Sequence, residues 1–195
     1  MIRHTLLLLL LTLATLPMAK ATQTEIAEKR LRASVDKVVE VAKFSKDRTA
    51  LIDGVKPVLE DILSFETMTR RAVGPGWKGF TAEQQKEAVR LFTVLILRTY
   101  TAKFTPGESP GVEFKGSTSP SPGRVEISTT SLYRGNRYDV IYRMEDQSGN
   151  WTITDVVIEG VSLIANFRGQ FEETFQQGGA SAVLKALESS IAKSK

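Results

Sequence analysis

The chain has 195 residues, of which 26 are basic and 22 acidic, for a net charge of +4, with no cysteine and a single histidine. The missing cysteine excludes disulfides, zinc–thiolate sites and lipid attachment through a cysteine. Stability must come from packing, and a chain of this length can bury a sizeable core.

The N-terminus reads as a secretory leader. Arg3 and His4 precede an apolar run from Leu6 to Leu16, and Ala19-Lys20-Ala21 fits the small-x-small cleavage pattern. The run is short of the ~20 residues that a membrane span needs. Residues 1–21 are therefore expected to leave, so that a mature chain of 174 residues begins at Thr22 and forms one domain over 22–195. Arg3, His4 and Lys20 leave with them, and the remaining 24 basic and 22 acidic residues give +2. Such a mature chain has neither His nor Cys, which excludes Ser-His-Asp and Cys-His nucleophiles and His-type metal sites. No cofactor or metal is expected. Export and near-neutral charge speak against nucleic acid as a partner.

The first half reads as helical. Thr22 to Phe44 carries an apolar stripe of Ala27, Leu31, Val35, Val38, Val39 and Ala42. A shorter helix is expected over Lys46–Asp53, stopping at Gly54. Val55-Lys-Pro57 then opens another, with Val58, Leu59, Ile62 and Leu63 as its stripe. A further helix near Glu66–Val73 ends at Gly74-Pro75-Gly76, which is a turn and not a phosphate loop. Thr81-Ala-Glu-Gln84 is a capping box. It opens the strongest helical segment, running to about Phe104, with Ala88 to Leu97 apolar almost throughout. A helix apolar around most of its circumference is buried on several sides.

Two turn-rich segments follow, Thr105–Gly111 and Ser117–Gly123. Strands are expected at Val112–Gly116, Arg124–Tyr133, Arg137–Asp146 and Trp151–Glu159. In the third, Tyr138, Val140, Tyr142 and Met144 face one way, and Arg137, Asp139, Ile141, Arg143 and Glu145 the other. Arg134–Arg137 and Gln147–Asn150 are hairpin turns by composition. Gly160 breaks the last strand and Ser162 caps a helix whose Ile164, Phe167, Phe171 and Phe175 share a face. A final helix, Ala180 to Lys193, carries Val183, Leu184, Leu187 and Ile191. The fold class is α+β, an antiparallel sheet of about four strands curved over a layer of helices.

Carboxylates offer little as a catalytic reading. Asp155 and Glu159 lie four apart, as a glycosidase pair would, but capping or pairing with Arg168 accounts for them better. Gly160-Val-Ser162 lacks the second glycine of a nucleophile elbow, since Ile164 stands there. An exported hydrolase working with carboxylates alone stays a third-ranked reading, and no catalytic residue is assigned. Trp77 and Trp151 read as buried anchors. The apolar sheet face and central helix suit either a filled core or the walls of an apolar cavity, which periodicity does not separate.

The order of several motifs narrows this. Phe65-Glu-Thr-Met68-Thr-Arg70-Arg71-Ala-Val-Gly74-Pro-Gly-Trp77 is followed by Thr81, Gln84-Gln85, Phe92 and Leu97-Arg-Thr99-Tyr100. The block from Trp151 through Asp155, Glu159-Gly160-Val161-Ser162, Asn166-Phe167-Arg168 and Gln170-Phe171 closes the series. This series resembles the MlaC family, also called the toluene-tolerance auxiliary family, from about Phe44 to Leu187. The resemblance implies a periplasmic carrier that takes phospholipid into an apolar cavity between sheet and helices of a cystatin/NTF2-like arrangement. It implies partners as well, an inner-membrane ABC transporter complex and an outer-membrane lipoprotein complex of an Mla-type system. One branch of the family is associated with hopanoids, which keeps a triterpenoid cargo open. A cell-envelope docking module with a filled core is the alternative from another class. On the carrier reading the chain is a monomer. Its cavity is expected to use Phe92, Ile96, Tyr100, Tyr138, Val140, Tyr142, Ile153, Val161 and Ile164. Arg70, Arg71, Arg98, Arg143 and Arg168, with Arg137, are the basic candidates for partner docking or for a lipid head group, docking being preferred.

Overall fold

A computed structural model describes residues 21–101 and 105–194. Residues 1–20 of the proposed leader lie outside this range. Helix α1 spans Gln23–Phe44, and Thr22 caps it in a complete capping box with Glu25. Helix α2 spans Arg48–Ile62 and α3 Phe65–Val73, and a 3₁₀ segment follows at Gly74–Gly79. Helix α4 covers Ala82–Thr101. Its expected capping box is present: the Gln84 amide donates to Thr81 Oγ1 at 3.2 Å and the Thr81 amide to Gln84 Oε1 at 3.0 Å.

One antiparallel sheet follows in the order β1-β2-β3-β4-β5. Its strands are Gly111–Ser121, Arg124–Tyr133, Asn136–Gln147, Asn150–Ile158 and the two-residue Val161–Ser162. Three of its hairpins turn on a pair of residues with positive φ, namely Arg134-Gly135, Ser148-Gly149 and Glu159-Gly160. That is the type I′ geometry, which matches the twist of the strands it joins. Helix α5 runs from Leu163 to Lys193 but breaks at Gly178 and Gly179, so its two arms correspond to the two helices read in the sequence.

The structure departs from expectation in three places. The two short helices around Gly54 are one continuous α2, with Pro57 in its interior. Leu51, Val55 and Ile62 are buried along it, and this packing outweighs the local breakers. Gly54 is there for contact: a Cβ at this position would lie 2.6 Å from Val41 Cγ1 of α1. Strand β1 also extends through Ser117–Ser121, which had read as loop. It is an edge strand, where Pro120 forfeits no sheet bond. Gly160 does not simply end β4; it turns the chain back to pair Ile158 with Val161 in β5.

The core has two main parts. Helix α1 lies over the sheet, where Ala27, Leu31, Val125, Ile127, Met144, Trp151 and Ile153 pack together. Helices α3, α4 and α5 form the second part around Met68, Phe92, Leu95, Ile96, Phe171 and Leu187. Leu63 touches both and bridges to Ile153 as a one-residue strand extension.

Candidate functional site

Strand register puts Thr129, Val140 and Ile158 side by side, with Ile127, Tyr142 and Val156 in the adjacent row. These rows continue the face that α1 covers farther along, where Val125, Met144 and Ile153 align. Along this face of β3, Met144 and Val140 are buried, Tyr142 is half-buried, and Tyr138 near the strand's start is 40% exposed. On α4, Ile96 is buried and Tyr100 half-buried, while Thr101 at the helix end is buried. The exposed Tyr138 and the half-buried Tyr100 stand where β3 begins and α4 terminates.

Two phenols mark this region. Tyr142 and Tyr100 both retain accessible surface, yet burial pushes both phenol pKa values up from 10, with Asp155 adding to the effect at Tyr100. Both phenols are neutral at any physiological pH, and the Thr129 hydroxyl lies beside Tyr142. Amphipathic rings of this kind suit the passage from an apolar pocket to its wet mouth.

The nine expected cavity residues divide among these surroundings. Phe92, Ile96 and Ile164 belong to the helical cluster, with Tyr100 packed against it. Phe92 is fully enclosed there, edge-on to Phe167 at 5.1 Å between ring centroids. Ile153 belongs to the cluster under α1, and Tyr142 packs against that one. Val140 is buried on the sheet face, whereas Tyr138 and Val161 are exposed at its end. Sequence reasoning missed Thr129, Val156 and Ile158, which share the face with Val140 and Tyr142. Alternation along β2 and β4, carried across the hairpins, was the signal available. A separate shallow recess of about 230 Å³ lies elsewhere, between the Gly74–Gly79 segment and α5, lined by Val73, Pro75, Gly76, Glu172, Phe175 and Gln176.

The basic candidates also separate. Arg71 pairs with Glu145 at 2.7 Å, Arg137 with Glu113 at 3.0 Å, and Arg143 with both Glu126 and Asp155. Arg70, Arg98 and Arg168 are exposed. Arg168 lies across Gly74, where a Cβ would meet its Nε at 3.0 Å. Trp151 is buried as expected, and Trp77 is half-buried, stacked on Phe80 at 5.5 Å.

Asp155 caps, as expected, but its cationic partner is Arg143 and not Arg168. Its carboxylate accepts from Arg143 at 3.0 Å, from the Ser162 hydroxyl at 2.7 Å and from the Ile164 amide at 3.1 Å. Ser162 in turn accepts from the Ala165 amide at 3.0 Å. This buried carboxylate ties β3, β4 and the start of α5 into one unit, and the positive end of the helix favours it. Glu159 turns away to accept from the Asp139 amide. The two carboxylates thus serve separate structural roles. An Asp155→Ala variant is expected to lose about 1–3 kcal/mol, checked by urea unfolding, because the buried Ile164 amide and the half-buried Ser162 hydroxyl lose their acceptor.

The molecule is an α+β protein in which a five-stranded antiparallel sheet packs against a layer of helices. A family model described as MlaC protein matches residues 27–189, and the chain belongs to the MlaC family. Among solved structures it is similar to a phospholipid-binding protein from Ralstonia solanacearum, determined in complex with a phospholipid. That match has a TM-score of 0.76 at 24% identity and covers 86% of this chain and 98% of the other, which establishes the shared fold. No curated protein matches the chain.

Proposed function

We propose that this protein is a periplasmic lipid carrier that holds acyl chains against the apolar face of its sheet and moves lipid between the membrane complexes of an Mla-type ABC transport system. The observation that carries this reading is the row of Val140, Tyr142 and Val156 along the apolar sheet face, in a chain of the MlaC family. The phospholipid bound by the Ralstonia protein of the same fold supports it. The proposed pocket wall consists of Val140, Tyr142, Val156 and Thr129 on the sheet and Tyr100 on α4, with Tyr138 and Val161 at the mouth. Burial of tails stabilises the complex by about 0.8 kcal/mol per CH₂. Two long tails therefore suffice without a tightly held head group, which leaves the exposed Arg70, Arg98 and Arg168 to docking. Residues 1–21 act as the cleaved export signal in this scheme.

The test is native mass spectrometry of protein prepared without detergent from a bacterial periplasm, followed by lipid extraction. A stoichiometric adduct of phospholipid mass is the expected result. A hopanoid adduct from a hopanoid-producing host reassigns the cargo. A bare protein mass that persists after incubation with vesicles rejects the carrier and favours a docking module.

A further inference from the structure

Four large hydrophobic side chains are exposed among the described residues: Ile26, Phe44, Tyr138 and Val161. A single exposed hydrophobic residue is ordinary. Three of these four, however, stand at one end of the molecule. Tyr138 lies two residues past Asn136, where β3 leaves the β2–β3 turn. Ile158 is paired with Val140, and the Glu159 amide donates to the Asp139 carbonyl at 2.9 Å, so the β4–β5 turn is level with Tyr138. Val161 follows that turn directly. Phe44 ends α1 at the same place. The Gly107 amide donates to the Ala42 carbonyl at 2.9 Å, and the neighbouring Glu108 is paired at 2.8 Å with Arg134 of the β2–β3 turn. Ile26 lies at the opposite end of α1, where Gln23 accepts from the Gly123 amide of the β1–β2 turn at 3.1 Å.

The three tips also share a side. Val161 is paired with Ile158 and Ile158 with Val140, and Tyr138 is two residues from Val140, so all of them project from one face of the sheet. It is the face over which α1 lies, and the one that carries the proposed pocket wall. Phe44 is 69% exposed and Val161 61%. The Lys43 ammonium lies 5.4 Å from the centroid of the Phe44 ring. No carboxylate pairs with Lys43 or Lys46 among the described residues, whereas Arg134 and Arg137 are held by Glu108 and Glu113.

This chemistry fits a lipid surface. At such a surface an aromatic ring settles among the acyl esters while a neighbouring lysine reaches the phosphates. The arrangement does not fit a protein partner as well. The tips stand on three separate elements, spread over a sheet whose four inter-strand steps span about 19 Å. Ion-paired side chains lie among them, and a protein interface is built around a continuous apolar core. A fluid bilayer admits each tip singly.

We propose that this end of the molecule is a membrane-contact surface: Phe44 and Val161, with Tyr138 between them on β3, enter the interfacial zone of a phospholipid bilayer while Lys43 and Lys46 meet its phosphates. The inference rests on the carrier reading for its purpose, because it brings the end of the proposed pocket wall to the surface that holds the lipid.

The experiment is co-sedimentation of the purified protein with phosphatidylethanolamine/phosphatidylglycerol vesicles, with the lipid adduct read separately by native mass spectrometry. The original protein is expected to bind the vesicles. Phe44→Ser is expected to bind about tenfold more weakly, as partial burial of one aromatic ring requires, with its lipid adduct retained. Val161→Ser is expected to bind several-fold more weakly. Ile26→Ser, an exposed position at the other end, is expected to bind as the original does. Lys43→Gln combined with Lys46→Gln is expected to weaken binding to the anionic vesicles and to leave binding to phosphatidylcholine vesicles unchanged. All variants are checked for folding by circular dichroism. A lipid-loaded original protein that ignores vesicles overturns the membrane contact, assigns this end to a protein partner and leaves the carrier reading standing. Unchanged binding in both Phe44→Ser and Val161→Ser, or an equal loss in Ile26→Ser, overturns the contact surface in the same way. Absence of any lipid adduct in the original protein overturns the carrier reading, and the vesicle binding of Phe44→Ser against Ile26→Ser then decides the contact surface by itself.

Discussion

A Val140→Trp variant is expected to fold and to purify without lipid. Val140 stands on the sheet face between Thr129 of β2 and Ile158 of β4, in the row next to Tyr142, and it belongs to neither main core cluster. An indole added there projects into the proposed recess and takes the space of an acyl chain. Near-complete loss of the lipid adduct in native mass spectrometry is the expected reading, with the far-ultraviolet circular dichroism spectrum unchanged. Full lipid content in the folded variant would remove Val140 from the pocket and move the wall elsewhere. Ile96→Trp serves as the contrast. Ile96 is 4% exposed and sits inside the helical cluster, so extra volume there meets packed neighbours. It is expected to lose about 1–3 kcal/mol of stability through overpacking, and any loss of lipid follows from that strain.

Phe92→Ala is expected to be the most damaging truncation in the chain, at about 3–5 kcal/mol by chemical denaturation. Phe92 is fully enclosed, with Phe167 edge-on at 5.1 Å and Phe171 at 6.4 Å between ring centroids. These aromatic contacts hold the first arm of α5 to α4. The variant leaves a void among rings that are themselves fixed by Leu95, Ile96 and Leu163, so the site does not readily collapse. A loss of that size is a large fraction of the stability of an ordinary domain, about 5–15 kcal/mol. If Phe92 were instead a wall of the lipid pocket, truncation would enlarge the pocket and cost little in the lipid-free protein. The denaturation midpoint of lipid-free protein therefore separates the two roles.

How far the site was legible in the sequence differs from residue to residue. The face shared by Tyr138, Val140, Tyr142 and Met144 followed from period-two alternation, because a strand has only two faces. The Thr81–Gln84 capping box and the Ser162 cap were readable because a cap is decided within four residues; the Thr22–Glu25 box went unread. Asp155 was readable as a cap but not as the partner of Arg143, since that pairing depends on the β3–β4 register. Phe92 and Ile153 were apolar residues at the right spacing, and spacing alone does not tell a packed position from one that faces a recess.

What the sequence determined by itself is the local grammar: helices first, hairpins next, helices last, the turn positions and the family to which these motifs belong. Each rests on short-range rules of propensity, capping and periodicity. What only the tertiary structure decided is whatever depends on partners far along the chain. Helix α2 passes through Gly54 and Pro57 because α1 packs on it. Edge position allows β1 to keep Pro120. Phe92 is enclosed by the rings of α5 while Tyr100, two turns later on the same helix, is only half-buried. The segment 105–110 reads as an ordinary polar turn until Tyr133 and Arg134 of the β2–β3 hairpin are seen bonded to Thr105 and Glu108. Burial and charge pairing are sums over neighbours brought together by folding, and a single segment carries only its own share of them.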